Sequence, residues 1–79
     1  MKIELRFYAT LIKYAEKNKI PQFSTVEIEE GTTIASLLNK FNIPEKDVHI
    51  IIINGRNADS KQVLQDGDRV ALFPPVGGG

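Results

Sequence analysis

The residues with the most pointed chemistry close the chain: Pro74-Pro75-Val76 followed by Gly77, Gly78 and Gly79. Glycine makes up about 7% of average composition, so a closing triplet arises by chance in about one chain in 3,000. A terminal glycine can enter a narrow active site that would reject any residue with a Cβ, because glycine permits close backbone approach. Its carboxylate has a reference pKa of about 3.3–3.7, so it is ionised at neutral pH and a poor electrophile until something activates it. Pro74 and Pro75 have no N–H to donate, which ends sheet pairing and favours a stiff, extended exit from the domain. From Pro75 onward, at about 3.3–3.6 Å per residue, the Gly79 carboxylate can stand roughly 17 Å from the body. That reach is sufficient to enter another protein's cleft.

The rest of the chain offers no rival catalytic set. There is no cysteine, which rules out disulfides, a thiolate-held metal and a thiol nucleophile, and fits a reducing cytoplasm. His49 is the only histidine and, without cysteines or an acidic pair beside it, is read as a strand residue rather than a ligand; no metal site is expected. Ser24, Ser36 and Ser60 have no histidine partner set for nucleophilic catalysis. Asp66-Gly67-Asp68 lacks the remainder of a calcium loop and is read as a turn. Gly77, Gly78 and Gly79 cannot form a phosphate loop, since no helix follows them.

Ten basic and ten acidic residues give net zero charge, with no Lys/Arg block of the kind that marks a nucleic-acid binder. Charges at Lys2 and Glu4 stand where a signal peptide needs apolar residues, and the longest apolar run, 50–53, is far too short to cross a bilayer. The expectation is a soluble cytoplasmic protein with neither nucleic acid nor membrane as partner. Seventy-nine residues make one domain near the small end of what folds alone.

The elements that must position the tail follow from periodicity. Residues 2–8 alternate, with Ile3, Leu5 and Phe7 on one face and Glu4, Arg6 and Tyr8 on the other, the period of a half-buried strand. A short helix is predicted over 10–18 from Leu11, Tyr14 and Ala15. Pro21 breaks the chain before a strand at 23–29 with Val26 and Ile28 inward. Gly31 and Thr32-Thr33 are a turn and N-cap, and Ile34, Leu37, Leu38 and Phe41 then recur at helical spacing, ended by residues 42–44. Residues 48–53 form a β-branched strand whose consecutive apolar positions predict burial on both faces and a central place in the sheet. Asn54-Gly55 predicts a tight turn into a short strand at 56–59. Val63 and Leu64 form a brief buried turn, and 69–73 is a last strand with Val70 and Leu72 on one face and Ala71 and Phe73 on the other. One main helix crossing a mixed sheet of four or five strands is the α+β roll called the β-grasp. A ferredoxin-like arrangement would need a second strong helix, and the segment at 10–18 is weakly patterned. The domain is assigned to residues 1–75 and a flexible, reactive tail to 76–79.

The chain resembles the small sulfur carriers of the ubiquitin-like superfamily, specifically the small subunit of molybdopterin synthase and its thiamine-pathway relative. The resemblance is carried by Arg6-Phe7-Tyr8-Ala9-Thr10-Leu11, by Gly31-Thr32-Thr33 before Leu37-Leu38, by Ile53-Asn54-Gly55, and above all by Asp66-Gly67-Asp68 running through a short apolar strand to Pro74-Pro75 and the closing glycines. The early Phe-aromatic-Ala segment and the length favour the molybdopterin branch. Gly77 stands where that branch often has alanine, serine or threonine, and Ile12 where many relatives carry a basic residue.

The resemblance implies that an E1-like partner uses ATP to adenylate Gly79, and that a sulfur donor system converts the adenylate to a thiocarboxylate. The terminus would then enter the large subunit of molybdopterin synthase and deliver sulfur to a pterin precursor, with Gly77 and Gly78 providing passage. The protein would bind no cofactor and act as co-substrate rather than enzyme. Ordering each tail residue costs about 1–2 kcal/mol, so binding energy must come from the folded body. Tyr8, Ala71 and Phe73 are the docking candidates, because alternation places them opposite the core and Phe73 adjoins the tail; the alternative is that a helix or loop covers them. Arg56 and Arg69 are read as solvated turn charges, the alternative being pairing with acidic residues on a partner. Three other functions share these features: a thiazole-pathway carrier, a protein modifier joined through Gly79 to lysines, and a binding module whose tail has no role.

Overall fold

The computed structural model describes residues 1–75. The expected tail at 76–79, including Gly77, Gly78 and Gly79, lies outside the described residues. Strand β1 (Lys2–Phe7) leads through a 3-10 turn (Ala9–Leu11) into helix α1 (Ile12–Lys17). Strand β2 (Phe23–Glu27), helix α2 (Ile34–Lys40), a second 3-10 turn (Glu45–Asp47) and strands β3 (Ile50–Ile53), β4 (Arg56–Ala58) and β5 (Arg69–Phe73) follow. The sheet order is β2-β1-β5-β3-β4. β1 and β5 run parallel, and every other pairing is antiparallel. The two chain ends of the domain are thereby neighbours in the sheet, and β5 takes its middle position.

Alternation decides which face is closed. Ile3, Leu5 and Phe7 of β1, Ile51 and Ile53 of β3, and Val70 and Leu72 of β5 join Leu11, Tyr14, Ala15, Ile34, Leu37, Leu38 and Phe41 in one buried cluster. Both helices therefore lie on the same side of the sheet, and the opposite face carries no helix. The expectation that β3 is buried on both faces and central is corrected by this arrangement: Ile50 is 36% exposed and Ile52 half-buried, and β3 lies between β5 and the edge strand β4. Four consecutive isoleucines cannot distinguish a strand covered twice from one whose outer residues are left for something else.

Helix α2 is held at both ends. Thr33 caps it through Oγ1, which accepts from Ser36 N at 3.2 Å, while Ser36 Oγ accepts from Thr33 N at 2.8 Å. The N–H groups of Ile34 and Ala35, which lack partners inside the helix, donate to the carbonyls of Gln62 and Ser60. At the other end Asn42 adopts φ +58, and the Ile43 and Asn42 N–H groups donate to the carbonyls of Leu38 and Asn39. That left-handed close satisfies the last carbonyls and ends the helix where residues 42–44 predicted.

Smaller departures have local causes. β2 stops at Glu27, two residues short of the expected limit, although the Ile28 N–H still donates to the Met1 carbonyl. The segment at 10–18 divides into a 3-10 turn and α1 because Ala9 sits at φ +52, a left-handed entry that a single regular helix does not begin with. Tyr8 lies outside β1 but keeps extended dihedrals and donates its N–H to Leu72 O at 3.2 Å. Val63 is corrected from buried to 43% exposed: it bridges Thr33 at the helix start, and only Leu64 enters the core.

Tyr14 links α1 to the second 3-10 turn by donating its hydroxyl to the Asp47 carboxylate. That bond, assisted by burial, holds the phenol above its ordinary value near 10. The native state thus keeps a proton that the unfolded chain releases near pH 10. The contribution to stability is complete below about pH 10 and is lost as pH rises through the higher native value. Tyr14→Phe is expected to abolish this part of the alkaline loss, read as a shallower fall of the urea midpoint across the tyrosine range than in the wild type.

Candidate functional site

Asn54-Gly55 and Asp66-Gly67-Asp68 are two turns that the fold ties together at the start of β5. Asn54 and Gly55 take φ +53 and +84, the left-handed pair of a two-residue hairpin turn. The Asn54 side chain then works in both directions, donating Nδ2 to Asp68 Oδ1 at 2.8 Å and accepting the Arg69 N–H on Oδ1 at 2.9 Å. Asp68, only 8% exposed, also accepts the Gln65 N–H on Oδ2 at 2.8 Å. On the β1 side, Asp66 Oδ1 accepts the Lys2 N–H, the Gly67 N–H donates to the Lys2 carbonyl and the Glu4 N–H to the Asp68 carbonyl, each at 2.8 Å. Together these contacts set the register of β5 against both neighbours, and with it the position from which the tail departs.

At the far end of β5 the pairing stops where proline removes the donor. The Phe73 carbonyl still accepts the His49 N–H at 2.8 Å, and Pro74 and Pro75 follow without an N–H to offer. Pro74 and Pro75 border a hollow of about 330 Å³ lined by Thr10, Leu11, Lys13 and Asp47. The candidate reacting group, Gly79, and its neighbours Gly77 and Gly78 lie beyond the described residues.

The structure brings Tyr8, Ala71 and Phe73 onto the open face. The Tyr8 and Phe73 rings are nearly parallel, 6° apart in plane with centroids at 4.7 Å. Tyr8 also meets Phe23 at 5.8 Å, making a row of three aromatic side chains beside the root of the tail. Tyr8 and Phe73 are half-buried and stack on each other on the face opposite both helices. Phe23 is 52% exposed and completes the row, although in the sequence it marks only the start of a strand. Its signal was available: in β2 it has the opposite parity to the inward Val26, which places it outward. What alternation lacked was the pairing of Phe23 with Arg6, which seats β2 beside β1.

His49 is exposed, and no group of three or more metal-ligating side chains exists among the described residues. Nor is any helix among them long and apolar enough to cross a membrane. A hollow of about 540 Å³ lies beside β4, with neither Pro74 nor Pro75 in its lining; the one carboxylate lining it, Asp68, is already engaged by Asn54 and Gln65.

A five-stranded mixed sheet in this order, closed by helices on one face, with a middle strand that is followed in the sequence by two prolines and three closing glycines, defines a ubiquitin-like β-grasp protein of the sulfur-carrier type. The likeness extends along the sequence from β1 to the last residue. The chain belongs to the ThiS family, whose model matches residues 5–79. No curated protein matches the sequence.

Among solved structures, a Pyrococcus furiosus protein provisionally named molybdopterin converting factor, subunit 1, is 25% identical with a TM-score of 0.70, covering 96% of this chain and 99% of its own. A complex of subunits 1 and 2 of molybdopterin-converting factor from Helicobacter pylori contains a chain 23% identical, with a TM-score of 0.63 and full coverage of both chains. Small archaeal modifier protein 1 of H. volcanii is 20% identical with a TM-score of 0.69, covering 95% of this chain and 98% of its own. At these identities the last two likenesses show the fold.

Proposed function

We propose that this chain is a cytoplasmic sulfur carrier whose C-terminal Gly79 is adenylated by an E1-like enzyme and converted to a thiocarboxylate that donates sulfur in molybdopterin biosynthesis. The observation that carries the reading is the reach of the ThiS family match, which runs through β5 and the two prolines to residue 79. The full-length likeness to the P. furiosus molybdopterin converting factor subunit supports the pterin branch.

In the first step the Gly79 carboxylate attacks the α-phosphorus of ATP, forming an acyl-adenylate and releasing pyrophosphate. Sulfide delivered by the donor system then attacks the acyl carbon and displaces AMP, which leaves with one of the original carboxylate oxygens, so that sulfur stands in its place. The chain supplies no acid, base or metal to these steps. Its contribution is to present an activated carbonyl at the end of a narrow segment, while the folded body provides the binding energy. Tyr8, Ala71 and Phe73 are the docking residues in this reading, because aromatic rings contribute large contact area at little entropic cost in binding surfaces. The large subunit of molybdopterin synthase is the partner that receives the thiocarboxylate.

Two relatives of this function share its first step. Thiazole synthesis for thiamine uses the same thiocarboxylate with a different acceptor. A modifier, supported by the shared fold of small archaeal modifier protein 1, would pass the activated Gly79 to lysine amines instead of sulfur.

Intact mass spectrometry of the protein isolated from its native cell tests the assignment. The expected species carries one sulfur in place of one oxygen on the last residue. Isopeptide adducts on lysines of other proteins would move the assignment to the modifier. A terminus that stays an unmodified carboxylate with ATP, sulfur donor and cognate activating enzyme present would exclude the carrier function.

A further inference from the structure

Beside the aromatic row, the open face carries a hollow of about 210 Å³ between Arg6 and Arg69, lined by Ile52 and Ala71 and edged by Asn54 and Gly55. No carboxylate lines it. The nearest on the same face, Glu4, is Cα-paired with Arg69 across β1 and β5 but directs one oxygen to Arg6, at 2.7 Å from Nε and 2.6 Å from a terminal nitrogen. Arg6 is further held with its guanidinium 5.0 Å from the Phe23 ring centroid. Arg69 is exposed and makes no ion pair among the described residues, while its backbone N–H is fixed by Asn54 Oδ1. Two guanidinium groups and one carboxylate leave a net positive charge, located where apolar surface meets solvent.

An apolar centre with a charged margin is the anatomy of a protein interface, and charge at the margin acts mainly on partner choice and association rate. Arginine's planar fork takes a carboxylate through two parallel hydrogen bonds, which a lysine cannot reproduce. We infer that the Arg6–Arg69 hollow receives a carboxylate side chain of the activating enzyme, with Arg69 gripping it and Arg6 flanking it, while the aromatic row packs on apolar surface next to it. The inference rests on the carrier function. It names the activating enzyme because adenylation is the step common to the pterin, thiazole and modifier fates of Gly79, so this is the partner the face must fit in all of them.

The test is stopped-flow association with the cognate activating enzyme for wild type, Arg69→Gln, Arg69→Lys and Glu4→Gln, at low and high salt. Arg69→Gln is expected to slow association about tenfold near 10 mM salt, where charges act over about 30 Å, and to match wild type near 1 M, where they act over about 3 Å. Arg69→Lys keeps the association rate and dissociates faster. Glu4→Gln removes the competing carboxylate and associates faster than wild type, a change of opposite sign that a merely structural role would not produce. Because Arg69 has no side-chain partner among the described residues, Arg69→Gln melts with wild type. Association of Arg69→Gln equal to wild type at low salt, or a deficit that persists at high salt, overturns the carboxylate contact and leaves the carrier function standing. A wild-type chain that the enzyme neither binds nor adenylates removes both.

Discussion

Removing Gly79 is expected to leave the domain folded and to reduce adenylation at least about 100-fold. The truncated chain still ends in a glycine carboxylate, so the chemistry of the group is unchanged and only its reach differs. One residue of extended chain is about 3.3–3.6 Å, and a misplacement of about 1 Å at a reacting centre can cost about 100-fold in rate. Gly79→Ala separates reach from width: the carboxylate keeps its distance, and the added Cβ tests whether the channel admits only glycine. Pyrophosphate exchange with the cognate activating enzyme reads both variants, and circular dichroism confirms that the fold survives. Exchange at the wild-type rate after truncation would show that the activating site does not depend on the reach of the last residue.

Asp68→Ala is expected to destabilise the domain by about 3 kcal/mol, the sum of two hydrogen bonds to a charged acceptor at about 1.5 kcal/mol or more each. The Asn54 amide and the Gln65 N–H would both be left without the carboxylate that they share. A domain of this size has roughly 4–12 kcal/mol in total, so the variant loses about a quarter to three quarters of it. Asp68→Asn keeps the shape but turns one acceptor into a donor facing a donor, and is expected to cost less than alanine and more than nothing. Urea melts rank the three proteins; equal midpoints for Asp68→Ala and wild type would show that the turn is held by its backbone bonds alone. Because Asn54 also binds the Arg69 N–H, the same change loosens the strand that carries the tail.

These residues show where the sequence was legible. The N-cap at Thr33, the end of α2 at Asn42, the hairpin at Asn54-Gly55 and the inward sets of β1, α2 and β5 follow from interactions within a few positions, and each is found where local rules place it. The docking candidates Tyr8, Ala71 and Phe73 were visible for the same reason, since alternation assigns a side to every strand residue. By contrast, Asp66-Gly67-Asp68 read as an ordinary turn. The burial of Asp68 arises from Asn54, fourteen positions away in the chain, and no spacing rule links them.

The aromatic row follows the same division. That Phe23, Tyr8 and Phe73 each point away from the core is a property of their own strands, set by a side-chain period of two. That they form one surface depends on the order β2-β1-β5, which brings residues from both ends of the chain side by side. The outer face of β3 makes the point in reverse: four isoleucines predicted two covers, and the sheet supplied one, because both helices pack on the same side. Local chemistry was therefore enough for most of the elements and for the outward residues of the strands. Long-range pairing was needed for the bond that anchors β5, the aromatic row and the cationic hollow, since each joins groups whose separation along the chain carries no information about their distance in space.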